Sequence, residues 1–82
     1  MVDLSETRVK IDEIDRKIIS LFNERMKLAD DVANYKIATG KPVYDAVREK
    51  EKLLVIEGFG EDDFSKTALR ELFTQIMSIS RK

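Results

Sequence analysis

The residues best placed to do chemistry are Arg25 and Lys36, set into an aliphatic run, and Asp45, Arg48 and Glu49, close together behind the single proline. From Ile11 to Lys36 the residues Ile11, Ile14, Ile18, Leu21, Phe22, Leu28, Ala29 and Val32 recur at three- and four-residue steps, the pattern of one helix face. At about 100° per residue, Arg25 and Lys36 are separated by roughly three turns plus about 20°, which puts both on that face. A buried cation is costly unless something anionic meets it. Two readings of Arg25 stay open: a carboxylate from a neighbouring helix pairs with it, or it receives an anionic ligand. Lys36 lies near the end of the run and has the further option of snorkelling into water. Arg8 sits about 100° round the helix from Arg25 and roughly 25 Å along it, so it cannot serve the same ligand from the same straight helix. Taken alone it reads as a surface arginine. Asp45 suits a helix cap, with Arg48 and Glu49 as solvated first-turn residues. The functional reading of the same residues is an anion met by helix-start N–H groups and Arg48, with Glu49 accepting from a hydroxyl.

Composition narrows the chemistry. Without Cys or His there is no thiolate nucleophile, no imidazole base and no Cys/His zinc site. The serines have no histidine to activate them, and no pair of carboxylates stands out in an apolar setting. The chain is better equipped to bind and position an anion than to transfer protons. A net charge of −1 with no dense basic run argues against nucleic acid. No apolar stretch is long enough for a membrane span and no charged-then-apolar leader is present, so the expected setting is the cytoplasm, which the lack of Cys also suits.

These residues need helices to hold them. The 82 residues are 43% hydrophobic and 38% charged, with one Pro and three Gly, a helical composition for one small domain near the lower limit for an independent core. Asp3 followed by Glu6 resembles a capping box in its Asp variant, and nothing interrupts the periodic segment until Gly40 and Pro42. The spacing predicts one helix from about Leu4 to Thr39, roughly 50 Å long. A globule of this chain length is only about 30 Å across, so the helix should overhang any monomeric core, and a second copy should cover its apolar stripe. After the turn Gly40-Lys41-Pro42-Val43-Tyr44, Asp45 should cap a second helix from about Ala46 to Ile56, ended at Gly58-Phe59-Gly60. Asp63 or Ser65 should cap a third, whose apolar positions Leu69, Leu72, Phe73, Ile76, Met77 and Ile79 repeat up to the last residues with no C-cap after them.

Taken in order, Arg8…Ile11-Asp12-x-Ile14-Asp15…Ile18…Leu21…Glu24-Arg25…Leu28-Ala29…Val32-Ala33…Lys36…Gly40-Lys41-Pro42-Val43-Tyr44-Asp45-x-x-Arg48-Glu49 resembles the all-helical class of chorismate mutase over essentially the whole chain. The resemblance implies an all-α subunit of three helices with a long first helix, joined in an intertwined homodimer with two active sites. It implies a cofactor-free, metal-free rearrangement of chorismate to prephenate on the route to Phe and Tyr. By the same resemblance Arg25, Arg48 and Lys36 hold the substrate. The arginine matching Arg25 binds a carboxylate, and the lysine matching Lys36 also donates to the ether oxygen. Asp45 and Glu49 match positions around the ring hydroxyl, Ser80 a serine lining the pocket, and Arg8 an arginine that reaches into the partner's site. Lys36, Arg25 and Glu49 are the implied catalytic residues. A pericyclic reaction needs a held conformer and fixed donors at the ether oxygen, which suits a chain with neither His nor Cys.

One position departs from the family. A Gln, sometimes Glu, belongs one helical turn after Ser80 and would fall two residues beyond Lys82. Gln75 lies on a different turn and does not replace it. The expectation is a domain cut short in its third helix, impaired as it stands, and drawn from the N-terminal part of a larger enzyme carrying a prephenate dehydratase or dehydrogenase. Two rival readings are an isochorismate–pyruvate lyase on the same scaffold and a non-catalytic dimerisation or metabolite-sensing module. The full match from Asp45 to Glu49 weighs against the first.

Overall fold

A computed structural model describes residues 3–42 and 44–81; Val43, within the expected turn, and Lys82 lie outside the described residues. Three helices follow one another: α1 (Leu4–Thr39), α2 (Ala46–Glu57) and α3 (Asp63–Ser80). The all-α expectation holds, the bounds of α1 are as predicted, and α2 runs one residue further. Among the described residues no helix is long and apolar enough to cross a membrane.

The chain divides into two units, Met1–Asp31 and Val32–Lys82. The first is the greater part of α1. Asp3 opens it, its Oδ1 accepting from the Ser5 N–H at 2.8 Å, which satisfies one of the orphan donors at a helix start. No residue of α1 is buried. The aliphatic stripe is open to solvent, with Ile14 54% and Ile18 57% exposed. Phe22, Arg25, Met26 and Ala29 are half-buried; their spacing of three and four residues lets each side chain lean over its neighbour.

The second unit starts in the last turns of α1, which end in a Schellman arrangement. Gly40 is left-handed (φ 73°), its N–H bonds to Ile37 O at 3.3 Å, and the Lys41 N–H bonds to Lys36 O at 2.8 Å. A glycine is favoured there because a Cβ disfavours positive φ. Asp45 caps α2, as expected. The cap of α3 is Asp62, not Asp63 or Ser65: Asp62 Oδ1 accepts from the Ser65 N–H at 2.7 Å, and Asp63 is already helical. A run of acidic residues offers several caps to the sequence reader, and the extended backbone of Asp62 decides among them. That backbone hydrogen bond, first, and the Ser65 side chain, second, lower the Asp62 carboxyl from its ordinary value. At its far end α3 is closed by Arg81 at the C-cap, whose N–H bonds to Ser78 O at 3.3 Å, where the sequence pattern showed no cap.

Helices α2 and α3 pack antiparallel. Glu49, at the start of α2, meets Arg81 at the end of α3, and Glu57, at the end of α2, meets Arg70 at 3.0 Å. Between these pairs lie Ile56 and Met77, the buried apolar residues among those described, flanked by half-buried Leu53, Leu69, Phe73 and Ile76. Leu72 and Ile79, counted with the same apolar face by sequence, are 54% and 45% exposed within the chain; they sit on the flank of the face that meets α2.

Candidate functional site

The start of α2 is built by Asp45. Its Oδ1 accepts from the Arg48 N–H at 3.0 Å, so one of the helix-start donors that could have met an anion is already satisfied by the cap. Besides the other helix-start N–H groups, a ligand there would meet the Arg48 side chain, which is exposed, and Glu49, which is half-buried. Glu49 Oε1 accepts from Arg81 Nη1, and the Arg81 guanidinium lies 4.3 Å from the centroid of the Tyr44 ring. The hydrogen bond it donates to Glu49 raises the already high pKa of Arg81, against a smaller opposing effect of burial. Ser80 precedes Arg81 and is half-buried; its hydroxyl donates to Ile76 O at 2.8 Å. The second unit thus gathers Glu49, Tyr44 and Arg81 into one cluster, with Asp45 and Arg48 on the same helix start and Ser80 on the same helix end.

Lys36 enters this unit one turn before the end of α1, half-buried, and its carbonyl is the acceptor of the Schellman bond from Lys41. The turn that ends α1 therefore fixes the backbone from which the Lys36 side chain springs. Arg25 and Arg8 belong to the first unit. Arg25 is half-buried, as are Phe22, Met26 and Ala29 on the same helix, and Arg8 is exposed, in keeping with its reading from sequence alone. Within one chain neither Arg25 nor Lys36 is buried outright, since α1 buries nothing there; the cover expected for their face is a second copy.

Sequence reasoning missed Arg81 and Tyr44. Both were in view, one as a helix end and the other as a turn residue. The one signal that could have found them is antiparallel pairing of α2 with α3, which sets the C-terminal end of α3 against the first turn of α2. Among the described residues no group of three or more Asp or Glu is arranged to hold a metal ion. The arrangement offers cations and hydrogen-bond donors on helices, with one carboxylate held by an arginine.

The sequence pattern of the family described as chorismate mutase type II matches residues 7–82. A chorismate mutase of Methanocaldococcus jannaschii is 55% identical over 47 residues, covering 57% of this chain and 48% of that protein. The bifunctional chorismate mutase/prephenate dehydratase of Aquifex aeolicus is 36% identical over 95% of this chain and 23% of its own length. The match therefore spans about half of the first relative and about a quarter of the second. Among solved structures, the chorismate mutase of Thermus thermophilus in its form I superposes with a TM-score of 0.88 at 28% identity, covering 94% of this chain and 96% of that one.

Proposed function

The chain belongs to the chorismate mutase type II family, and from that premise we propose that it rearranges chorismate to prephenate without a cofactor. The observation that carries the reading is the family match over residues 7–82, which takes in every residue assigned a role below. In this Claisen rearrangement the ether C–O bond breaks as a C–C bond forms, with no nucleophile and no proton transfer. Catalysis then consists of holding the flexible dianion in its reactive conformer and meeting the charge that develops on the ether oxygen. Arg25, Arg48 and the partner subunit's Arg8 hold the carboxylates. Lys36 donates to the ether oxygen. Glu49 accepts from the ring hydroxyl, beside Asp45, whose carboxylate is the cap of α2, and Ser80 lines the pocket. By the resemblance, a second donor to the ether oxygen is a Gln one helical turn after Ser80.

The proposal includes a homodimer. Ile56 and Met77 are the buried apolar residues among those described, and α1 has none. So small a core does not offset the entropy of ordering three helices, and the open aliphatic stripe of α1 is the surface a second copy would cover. The reading extends to a cytoplasmic enzyme of aromatic amino-acid synthesis, and the bifunctional relatives support fusion to a downstream enzyme in the native setting. The lyase and the non-catalytic module are not favoured, because the named relatives are chorismate mutases. The test is a direct assay of the purified chain for chorismate loss and prephenate formation. Stoichiometric prephenate is expected, and a folded dimer that leaves chorismate unchanged would overturn the proposal.

A further inference from the structure

We propose that Arg81 is a positioning residue for this reaction: stacked on Tyr44 and bonded to Glu49, it holds the carboxylate that accepts from the ring hydroxyl. The inference rests on the chorismate mutase reading and adds to it a residue outside the set that the family resemblance supplies. A glutamate has several freely rotating bonds, and fixing it costs side-chain entropy. Arg81 removes that freedom from one side. It takes Glu49 Oε1 and leaves Oε2 as the acceptor for a hydroxyl. Tyr44 in turn fixes Arg81, because a planar guanidinium 4.3 Å from the ring centroid is stacked as well as charged. The three side chains tie the residue before the α2 cap to the residue after Ser80, so the two helix ends assigned to the pocket are held together at one point.

A purely structural role is the competing account, and the second ion pair between the same helices allows the two to be separated. Glu57 and Arg70 clasp the other end of α2 and α3 at 3.0 Å. The side chains of the Glu49 pair are 31% and 25% exposed for Arg81 and Glu49, against 57% and 24% for Arg70 and Glu57, so both pairs reach solvent and neither is fully desolvated. If Arg81 only fastens α3 to α2, then losing it should resemble losing Arg70. If it orients Glu49, its loss should be felt only by a substrate with a hydroxyl to bind.

The experiment measures kcat and KM for the unmodified chain and for Arg81→Met, Arg70→Met, Glu49→Gln and the Glu49→Gln/Arg81→Met pair. The substrates are chorismate and an analogue lacking the ring hydroxyl. Arg81→Met should lower kcat/KM on chorismate by about tenfold, the scale for losing a group that orients a functional side chain. It should change turnover of the analogue little, and it should add nothing to Glu49→Gln. Arg70→Met should match the unmodified chain on both substrates. Equal losses from Arg81→Met on the two substrates, equal losses from Arg81→Met and Arg70→Met, or no loss at all would each overturn the role of Arg81 while leaving chorismate turnover standing. Failure of the unmodified chain to turn over chorismate would overturn the functional reading and this inference with it.

Discussion

Arg25 shows how a single side chain can be legible by type while its surroundings depend on what covers its helix. Its helical phase identifies it as a cation among aliphatic residues, and the structure makes it half-buried on a helix that buries nothing. Within one chain Arg25→Ala opens no cavity, and where the proposed dimer covers this face it removes a cation that is costly to bury, so stability should fall by less than about 1 kcal/mol. Transition-state stabilisation should fall by about 3 kcal/mol, or roughly 10²-fold in kcat/KM, as for the loss of one strong fixed donor. Steady-state kinetics beside urea unfolding separate the two effects, and an unfolded variant with full activity per folded site would return Arg25 to a structural ion pair. Asp62 belongs to the same scale. Its folded pKa lies below the ordinary value of 3.8, so the stability it contributes to the start of α3 is fully present above that value. That contribution is lost as pH falls through the folded pKa. The Ser65 amide resonance, which reports the cap, should titrate with a midpoint below 3.8, and in Asp62→Asn, which still caps but does not ionise, that step should vanish.

At the scale of elements, the helices are set by periodicity and by their ends. The ends are where the sequence underdetermined the result, since Asp62, Asp63 and Ser65 all have capping side chains and only backbone geometry selects one. The joint between α2 and α3 makes a sharp demand. A Cβ on Gly60 would sit 2.7 Å from Lys66 N and 2.9 Å from Lys66 Cα, backbone atoms that cannot swing aside. Gly60→Ala should cost about 1–3 kcal/mol, the range for forced overpacking, read as a lower urea midpoint at unchanged m-value. The end of α3 carries a prediction about rate. On the proposed site, where Lys36 would be one donor to the ether oxygen, adding one further helical turn that places Gln two residues beyond Lys82 should raise kcat by about 10²–10³-fold, the size of one oxyanion donor. KM on that proposed site should change less, because the arginines, not the added Gln, would hold the carboxylates. Equal kcat for both chains would show that the added donor is irrelevant.

For the whole molecule the proposal is a site completed by a second copy, and the exposure of the α1 stripe is the physical reason to expect one. An Arg8→Ala chain and an Arg25→Ala chain should each be nearly inactive alone, because each homodimer lacks one cation at both sites. After subunit exchange, each heterodimer should hold one site with both substitutions and one with neither. An equal mixture should then recover about a quarter of the unsubstituted activity, by the statistics of a two-fold dimer. Sedimentation equilibrium of the mixture, with one chain mass-labelled, checks that heterodimers have formed. Heterodimers without recovered activity would remove Arg8 from the partner's site.

The sequence by itself determined the helices and the kinds of residue available for chemistry. A 3.6-residue apolar period, one Pro, three Gly and the absence of Cys and His leave helices and cations as the working parts, because these are local properties of the chain. The order of Arg25, Lys36, Asp45, Arg48 and Glu49 pointed to a family for the same reason. Tertiary structure decided which faces are covered and which side chains meet across helices. Leu72 and Ile79 share an apolar pattern with Met77 yet stay exposed, because burial depends on where α2 lies. Arg81 and Glu49 stand far apart in sequence and in contact in space, a pairing that only the antiparallel closure of α2 on α3 brings about.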